Sequence, residues 1–295
     1  MQTSSHIFFP AKILLFGEYV IIHGGKGLAI PYPKYGGSLG MALPAEDTQT
    51  ATSQTTIAQL CRYLQQITPH EWDFEAWLLD VQQGLYFGSN VPQGFGLGSS
   101  GALVAALYAR YYLQKTTNID QLKQILAQVE SYFHGKSSGL DPLVSYLQCP
   151  VLITQNDTHS LATTAVSLHN EHYRWLLWDS GISRQTAPLV AIFQQQMTDP
   201  TFAERYHNEL VPHNEACIAA LLAQDSAALL QHVKALSQFQ LAHFAAMIPA
   251  HLQSLWQKGI ADDTYYFKLC GAGGGGFFLA LQPASMQPFL GFERL

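Results

Sequence analysis

The stretch Asn90-Val91-Pro92-Gln93-Gly94-Phe95-Gly96-Leu97-Gly98-Ser99-Ser100-Gly101-Ala102 sets a glycine-rich, hydroxyl-bearing turn directly before a helix-forming run at 102–113. Glycines let successive backbone N–H groups point into one concavity. The helix that follows adds its unsatisfied first-turn amides and the positive end of its dipole. Upstream, Leu85, Phe87, Ser89 and Val91 alternate as in a strand, so the predicted order is strand, anion-binding loop, helix. No lysine follows these glycines at the place a Walker A loop requires. Gly96, Gly98 and Gly101 match a dinucleotide fingerprint by spacing, but that fold also needs an acidic residue ending a second strand about twenty residues on. Asp120 is the nearby candidate. It precedes Leu122, Ile125, Leu126, Val129 and Phe133, a helical stripe, and is predicted to be that helix's N-cap. A purely structural turn is the remaining alternative.

Two further stretches stand in order with this loop, Pro10-Ala11-Lys12-Ile13-Leu14-Leu15-Phe16-Gly17-Glu18-Tyr19 and Lys268-Leu269-Cys270-Gly271-Ala272-Gly273-Gly274-Gly275-Gly276-Phe277. Together the three resemble the motifs of the GHMP kinases and span nearly the whole chain. The resemblance implies an α+β fold of two domains, the first like ribosomal protein S5 domain 2 and the second ferredoxin-like. A polar stretch before Tyr173 suggests the boundary, giving residues 1–172 and 173–295.

Composition narrows the partners. The chain has 295 residues, enough for about two domains with buried cores. Its charged fraction of 12% leaves much of the surface to uncharged groups, which is compatible with a homodimer. A net charge of −6 with only 15 Lys and Arg and no basic run gives no footprint for nucleic acid. Cys61, Cys149, Cys217 and Cys270 lie far apart without a C-x-x-C, so free thiols in a reducing compartment are expected. No basic leader or long apolar span occurs, which points to a cytoplasmic protein without a membrane segment. None of the 12 histidines falls in a metal-binding spacing. Helices are predicted at 57–67, 71–81, 102–113, 122–133, 202–222 and 227–247, and strands at 13–16, 19–22, 175–178 and 277–281. Residues 45–56, rich in Thr, Gln, Ser and Ala, lack an apolar period and read as a mobile surface loop.

A second candidate site is Glu130-Ser131-Tyr132-Phe133-His134-Gly135-Lys136-Ser137-Ser138-Gly139-Leu140-Asp141, where two carboxylates flank one glycine-serine turn. Phosphoryl transfer to an alcohol needs a metal on the nucleotide oxygens, a cation near the transferring group and a carboxylate for the hydroxyl. Glu130, Lys12 and Asp141 can supply these. By local chemistry alone, Asp141 before Pro142 is also a good helix N-cap. Likewise Glu130 could be a solvated helix residue and Lys12 a snorkelling one.

The segment is similar to that of mevalonate kinases, in which a magnesium-binding Glu precedes by eleven positions the Asp of H-G-x-x-S-G-x-D. That resemblance implies Lys12 as catalytic lysine, Asp141 as general base, and Ser100 with Glu130 as Mg2+ ligands. It implies Pro92, Gly94, Gly96, Leu97, Gly98, Ser99 and Ser100 around the phosphates of ATP, and Glu18, Tyr19, Gly271, Ala272 and Gly273 on the substrate side. Asp179-Ser180-Gly181-Ile182-Ser183-Arg184-Gln185-Thr186 resembles the strand and turn opening the second domain. The sequence departs from the pattern at Tyr19, where mevalonate kinases usually carry His, at Lys136, where proline is common, and at 147–150. The implied activity is ATP-dependent phosphorylation of a small alcohol, mevalonate first. Phosphomevalonate or another alcohol is the alternative acceptor, and a nucleotide-binding regulatory protein without turnover is the alternative from another class.

Overall fold

The computed structural model describes residues 7–45, 47–92, 95–155, 158–161, 166–183, 186–287 and 291–295. Gly94, Arg184 and Gln185, each named above, lie outside the described residues. The chain opens with strands β1 (Phe9–Phe16) and β2 (Gly27–Met41), helices α1 (Thr48–Ile67) and α2 (Phe74–Gln82), and strand β3 (Leu85–Ser89). Helices α3 (Ser99–Tyr111), α4 (Ile119–His134) and α5 (Leu140–Leu147) follow, then strands β4 (Val151–Ile153), β5 (Thr158–Ser160) and β6 (Tyr173–Asp179). The remainder is α6 (Thr186–Gln196), α7 (Pro200–Arg205), α8 (Val211–Leu222), α9 (Ser226–His243), α10 (Ala250–Ala261), β7 (Tyr266–Leu269), β8 (Phe277–Pro283) and β9 (Glu293–Arg294). Helices thus combine with antiparallel sheets, and the α+β expectation holds. Among the described residues no helix is long and apolar enough to cross a membrane.

The chain divides into two units interleaved in sequence. One comprises Met1–Lys12, Ile30–Pro92 and Leu97–Cys149; the other comprises Ile13–Ala29, Gln93–Gly96 and Pro150–Leu295. In the first, β2 pairs antiparallel with β3 from Gly37↔Ser89 to Met41↔Leu85. Helix α3 is its core: Gly101 through Tyr108 are all buried, because the run Gly-Ala-Leu-Val-Ala-Ala-Leu-Tyr is apolar on every side. Trp77 stacks on Tyr111 at 4.8 Å and closes the far end of that core.

In the second unit, β7, β8, β6 and β9 form an antiparallel sheet in that order, with β6 and β8 in register from Tyr173↔Pro283 to Asp179↔Phe277. The first residues of β2 pair with β4, and β4 pairs with β5. Phe193, Phe202, Tyr206, Phe239 and Phe244 are buried together as an aromatic core. Pro200–Leu222 is continuous but opens into a π turn at Tyr206–Leu210, just ahead of Pro212, whose missing N–H interrupts the ordinary ladder.

Three expectations are corrected. The residues read as a loop at 45–56 belong largely to α1, which starts at Thr48 behind an Asp47 cap bonded to Thr50 N at 2.7 Å. The hydroxyls of Thr52, Thr55 and Thr56 satisfy themselves on carbonyls one turn back, so a polar composition costs this helix little. The run 19–22 is not a strand. Tyr19 and Val20 turn, and Ile21–His23 is a 3-10 helix, because Gly17 at φ +115° and Tyr19 at φ +64° break the extended path. Finally, α4 starts earlier than predicted: Asn118 is its N-cap, accepting from Gln121 N at 2.9 Å, and Asp120 sits in the first turn.

The α4–α5 connection depends on Gly139, which caps α5 at φ +71°. A β-carbon there would lie 2.2 Å from the Lys123 carbonyl oxygen and 2.9 Å from Ala127. Gly139→Ala should therefore destabilise the protein by about 3 kcal/mol, from backbone strain plus overpacking, as read by denaturant melts. A variant as stable as the parent would show that α5 can shift away from α4 freely.

Candidate active site

Built from the backbone up, the site begins where β1 meets the glycine loop. All eight residues of β1 are buried, Lys12 included. Its backbone N–H donates to the Leu97 carbonyl at 2.9 Å, which fixes this end of the strand beside the loop. Gly98 is the N-cap of α3 at φ +76°, and no side chain caps the helix, so its first-turn amides have no side-chain acceptor. That is the arrangement an anion at a helix N-terminus requires, and it fits a nucleotide phosphate.

Gly98 and Gly101 serve a second purpose. A β-carbon at Gly98 would meet the Asp141 carboxylate at 2.9 Å, and one at Gly101 would meet Asp141 and Pro142 at 2.8 Å. The glycines thus admit α5 against α3 and bring Asp141 to the loop. Asp141 is not the cap of α5, since Gly139 holds that position. Its Oδ1 instead pairs with Lys12 Nζ at 2.7 Å, with side chains 29% and 10% exposed. Lys12 does not snorkel to solvent; its charge is spent on Asp141.

Glu130, on the buried side of α4, is only 4% exposed. Ser137 Oγ donates to its Oε2 and Ser100 Oγ donates to its Oε1 at 3.3 Å. Burial and, secondarily, the nearby Asp141 charge push its carboxyl up to about 7. His134 Nε2 lies 2.9 Å from Ser100 Oγ. The sequence reading does not single out His134 or Ser137. Glu130 and His134 stand four apart on α4, so their shared face was available as a signal.

Lys12, Asp141, Glu130, Ser100 and the Gly98 turn are thus brought together in one unit. Leu97 is buried behind the loop, Ser99 opens α3, and Pro92 ends the segment before the loop. Gly96, at φ +75°, belongs to the other unit. Among the described residues no cluster of three or more His, Cys, Asp or Glu could hold a metal by itself. The oxygen pair of Ser100 and Glu130 suits Mg2+, which takes one or two protein ligands and completes its shell with phosphate and water. A cation would also relieve a buried carboxylate that no ion pair serves among the described residues.

The residues expected on the substrate side gather in the second unit. Glu18 is buried against Lys268, whose ammonium reaches Glu18 Oε1 at 2.5 Å. The Tyr19 hydroxyl donates to the Ala272 carbonyl at 2.6 Å, and Gly271 and Gly273 flank that carbonyl at φ +81° and +76°. In the sequence Lys268 stands only as the first residue of the third glycine-rich stretch, with no local sign of its partner.

Comparison with known proteins adds a family. The profile described as the GHMP kinases N terminal domain matches residues 55–148. Mevalonate kinase of Arabidopsis thaliana is 26% identical over 214 residues, 66% of this chain and 55% of that protein, so the chain spans about half of that relative. Mevalonate kinase of Pyrococcus abyssi is 23% identical over 309 residues, 94% of this chain and 88% of that one. The structure of L. major mevalonate kinase in complex with R-mevalonate has a TM-score of 0.67 at 20% identity, covering 96% of this chain and 88% of its own. Streptococcus pneumoniae phosphomevalonate kinase in complex with phosphomevalonate and AMPPNP has a TM-score of 0.64 at 16% identity, covering 98% and 99%. At these identities the structures establish the shared fold.

Glu130 carries a pH signature. Its carboxyl titrates near 7 when folded and near 4.5 when unfolded, so between those values the folded state binds the extra proton and loses stability as pH rises. In metal-free protein, Glu130→Gln should match the parent at pH 4.5 and exceed it by up to about 3 kcal/mol at pH 8 in denaturant melts. An advantage that does not grow with pH would show that Glu130 is not held out of its charged form.

Proposed function

From the match of residues 55–148 to the GHMP kinases N terminal domain, we propose that the chain is a GHMP kinase that transfers the γ-phosphoryl group of ATP to the hydroxyl of a small alcohol, with mevalonate as acceptor. The products are then 5-phosphomevalonate and ADP. The observation that carries this reading is the Lys12–Asp141 pair at 2.7 Å, set against a glycine turn and an uncapped helix N-terminus, with a second buried carboxylate beside it.

Each group has a role its surroundings suit. The amides of Gly98 and of the first turn of α3 hold the nucleotide phosphates, with Ser99 opening that turn. Ser100 and Glu130 would hold Mg2+, which when bound offsets negative charge on the phosphate oxygens. Asp141 orients the acceptor hydroxyl and takes its proton as the new O–P bond forms and the bond to the ADP oxygen breaks. Lys12 pairs with Asp141 and places positive charge where the transferring group gathers negative charge. Before ligands arrive, the two neutralise each other, so neither charge stands alone in a buried site. Gly271, Ala272 and Gly273 serve the acceptor side.

Phosphomevalonate is the second reading. Tyr19 favours it, since the Gly17-Glu18-Tyr19 pattern also occurs in phosphomevalonate kinases and the fold is shared equally with that class. A regulatory protein without turnover is disfavoured, because Lys12, Ser100, Glu130 and Asp141 are all present and, within their unit, assembled.

The test is ADP release from Mg-ATP with mevalonate, phosphomevalonate and a panel of sugars and amino alcohols, with Asp141→Asn as control. Mevalonate-dependent release is expected, and the variant should lose about a hundredfold or more in turnover while nucleotide affinity stays within about twofold. Equal loss of affinity and turnover would reduce Asp141 to a structural group. Turnover on another alcohol alone would keep the kinase and replace mevalonate.

A further inference from the structure

Glu18 and Tyr19 are adjacent, and both are committed to one segment, the turn that runs from the end of β7 into β8. Glu18 takes the Lys268 ammonium at 2.5 Å with both side chains closed off, 1% and 0% exposed. The Glu18 carboxylate also accepts from the backbone N–H of Gly271. Lys268 has a second bond, to the Leu269 carbonyl at 2.6 Å. The Tyr19 hydroxyl donates to the Ala272 carbonyl, and its ring is gripped by Phe193 at 4.7 Å and Phe244 at 5.0 Å.

Neighbours in a strand face opposite ways. Glu18 and Tyr19 reach the same turn because Tyr19 holds φ +64°, a conformation bulky L residues rarely adopt and that persists only where surrounding contacts enforce it. The turn itself is built from residues with little conformational preference: Gly273, Gly274 and Gly276 stand at φ +76°, +77° and +64°. Its downstream half is tied by backbone bonds, Gly274 N to Met247 O at 2.6 Å and Gly276 N to Ile182 O at 2.7 Å. Its upstream half is where Glu18, Lys268 and Tyr19 attach.

We propose that Glu18 and Tyr19 are positioning residues that act on the acceptor through the glycine turn, holding 270–273 in its binding conformation without touching acceptor or nucleotide. Tyr19 thereby differs from a side chain free to recognise substrate: its hydroxyl proton is already donated, and its ring lies inside an aromatic core. The part of this proposal that concerns the acceptor rests on the kinase reading; the clamp on the turn does not.

Two readouts test it together. Tyr19→Phe keeps the ring in its packing and removes only the bond to Ala272. Hydrogen exchange by mass spectrometry should then speed up about fivefold at 269–276 while the rest of the unit is unchanged, the worth of one net hydrogen bond. In steady state, the acceptor KM should rise about fivefold with kcat within about twofold, because a smaller fraction of free protein has the turn ready and saturating acceptor restores it. A paired variant, Glu18→Gln with Lys268→Met, removes both buried charges at once and should accelerate exchange in the same segment. Unchanged exchange in both variants, or a fall in kcat at constant KM, would overturn the proposal. If no acceptor in the panel supports turnover, the kinase reading fails while the exchange data still decide whether the clamp exists.

Discussion

Lys12 is an ammonium group taken almost wholly out of water, and its burial is tolerable only because Asp141 faces it at 2.7 Å. Much of the first unit follows from meeting that requirement. The strand must deliver lysine at one fixed point, so its backbone is tied to Leu97. Helix α5 must deliver the carboxylate to the same point, which forces α3 and α5 together so closely that residues 98 and 101 have no space for a β-carbon. The glycine pattern therefore answers two constraints at once, backbone geometry for anions and clearance for a charged partner. A loop needed for phosphate alone would not have required glycine at 101, inside a helix, where it costs about 1 kcal/mol relative to alanine.

The same charge balance explains Glu130. One lysine stands near two carboxylates and its ion pair goes to Asp141, so Glu130 keeps only hydroxyl donors, and its burial, with the Asp141 charge second, raises its pKa. An unpaired buried carboxylate is a liability in a protein that binds nothing, and such groups concentrate where a ligand completes the balance. In the second unit the balance is closed internally. Glu18 and Lys268 neutralise each other with neither exposed to water, which is the pattern of a fixed structural pair rather than of a site awaiting charge. Two buried carboxylates, one with its own cation and one without, thus separate a holding role from a binding role.

How much of this the sequence discloses depends on the range of each interaction. The loop, the α3 run and the spacing from Glu130 to Asp141 are local patterns, and each is legible. The Lys12–Asp141 pair joins residues far apart in the chain, and residue types alone leave Asp141 equally good as a helix cap; packing decides against the cap. Helix α1 is hidden because its threonines and glutamines carry no apolar period, although Ile57, Leu60, Cys61 and Leu64 bury one face of it. The turn at Tyr19 is hidden because Tyr-Val-Ile-Ile has strong strand propensity, which local dihedrals imposed by Gly17 and the pull of the 270–273 segment override.

These cases share one physical cause. Periodicity reports which face of an element is buried, but it cannot report what a buried polar side chain is buried against, since that partner lies elsewhere in the chain. Lys268 illustrates the limit: within Tyr266–Leu269 it is one polar residue in an otherwise apolar strand, and nothing adjacent signals Glu18 250 positions away. The useful inference from sequence is conditional. A lysine or glutamate embedded in an apolar strand either breaks the strand or is owed an opposite charge, because a lone buried ion costs several kcal/mol. Here Lys12 and Lys268 each sit in such a strand, each strand survives, and each lysine finds its carboxylate in a segment distant in sequence, one in a helix first turn and one in a strained tight turn.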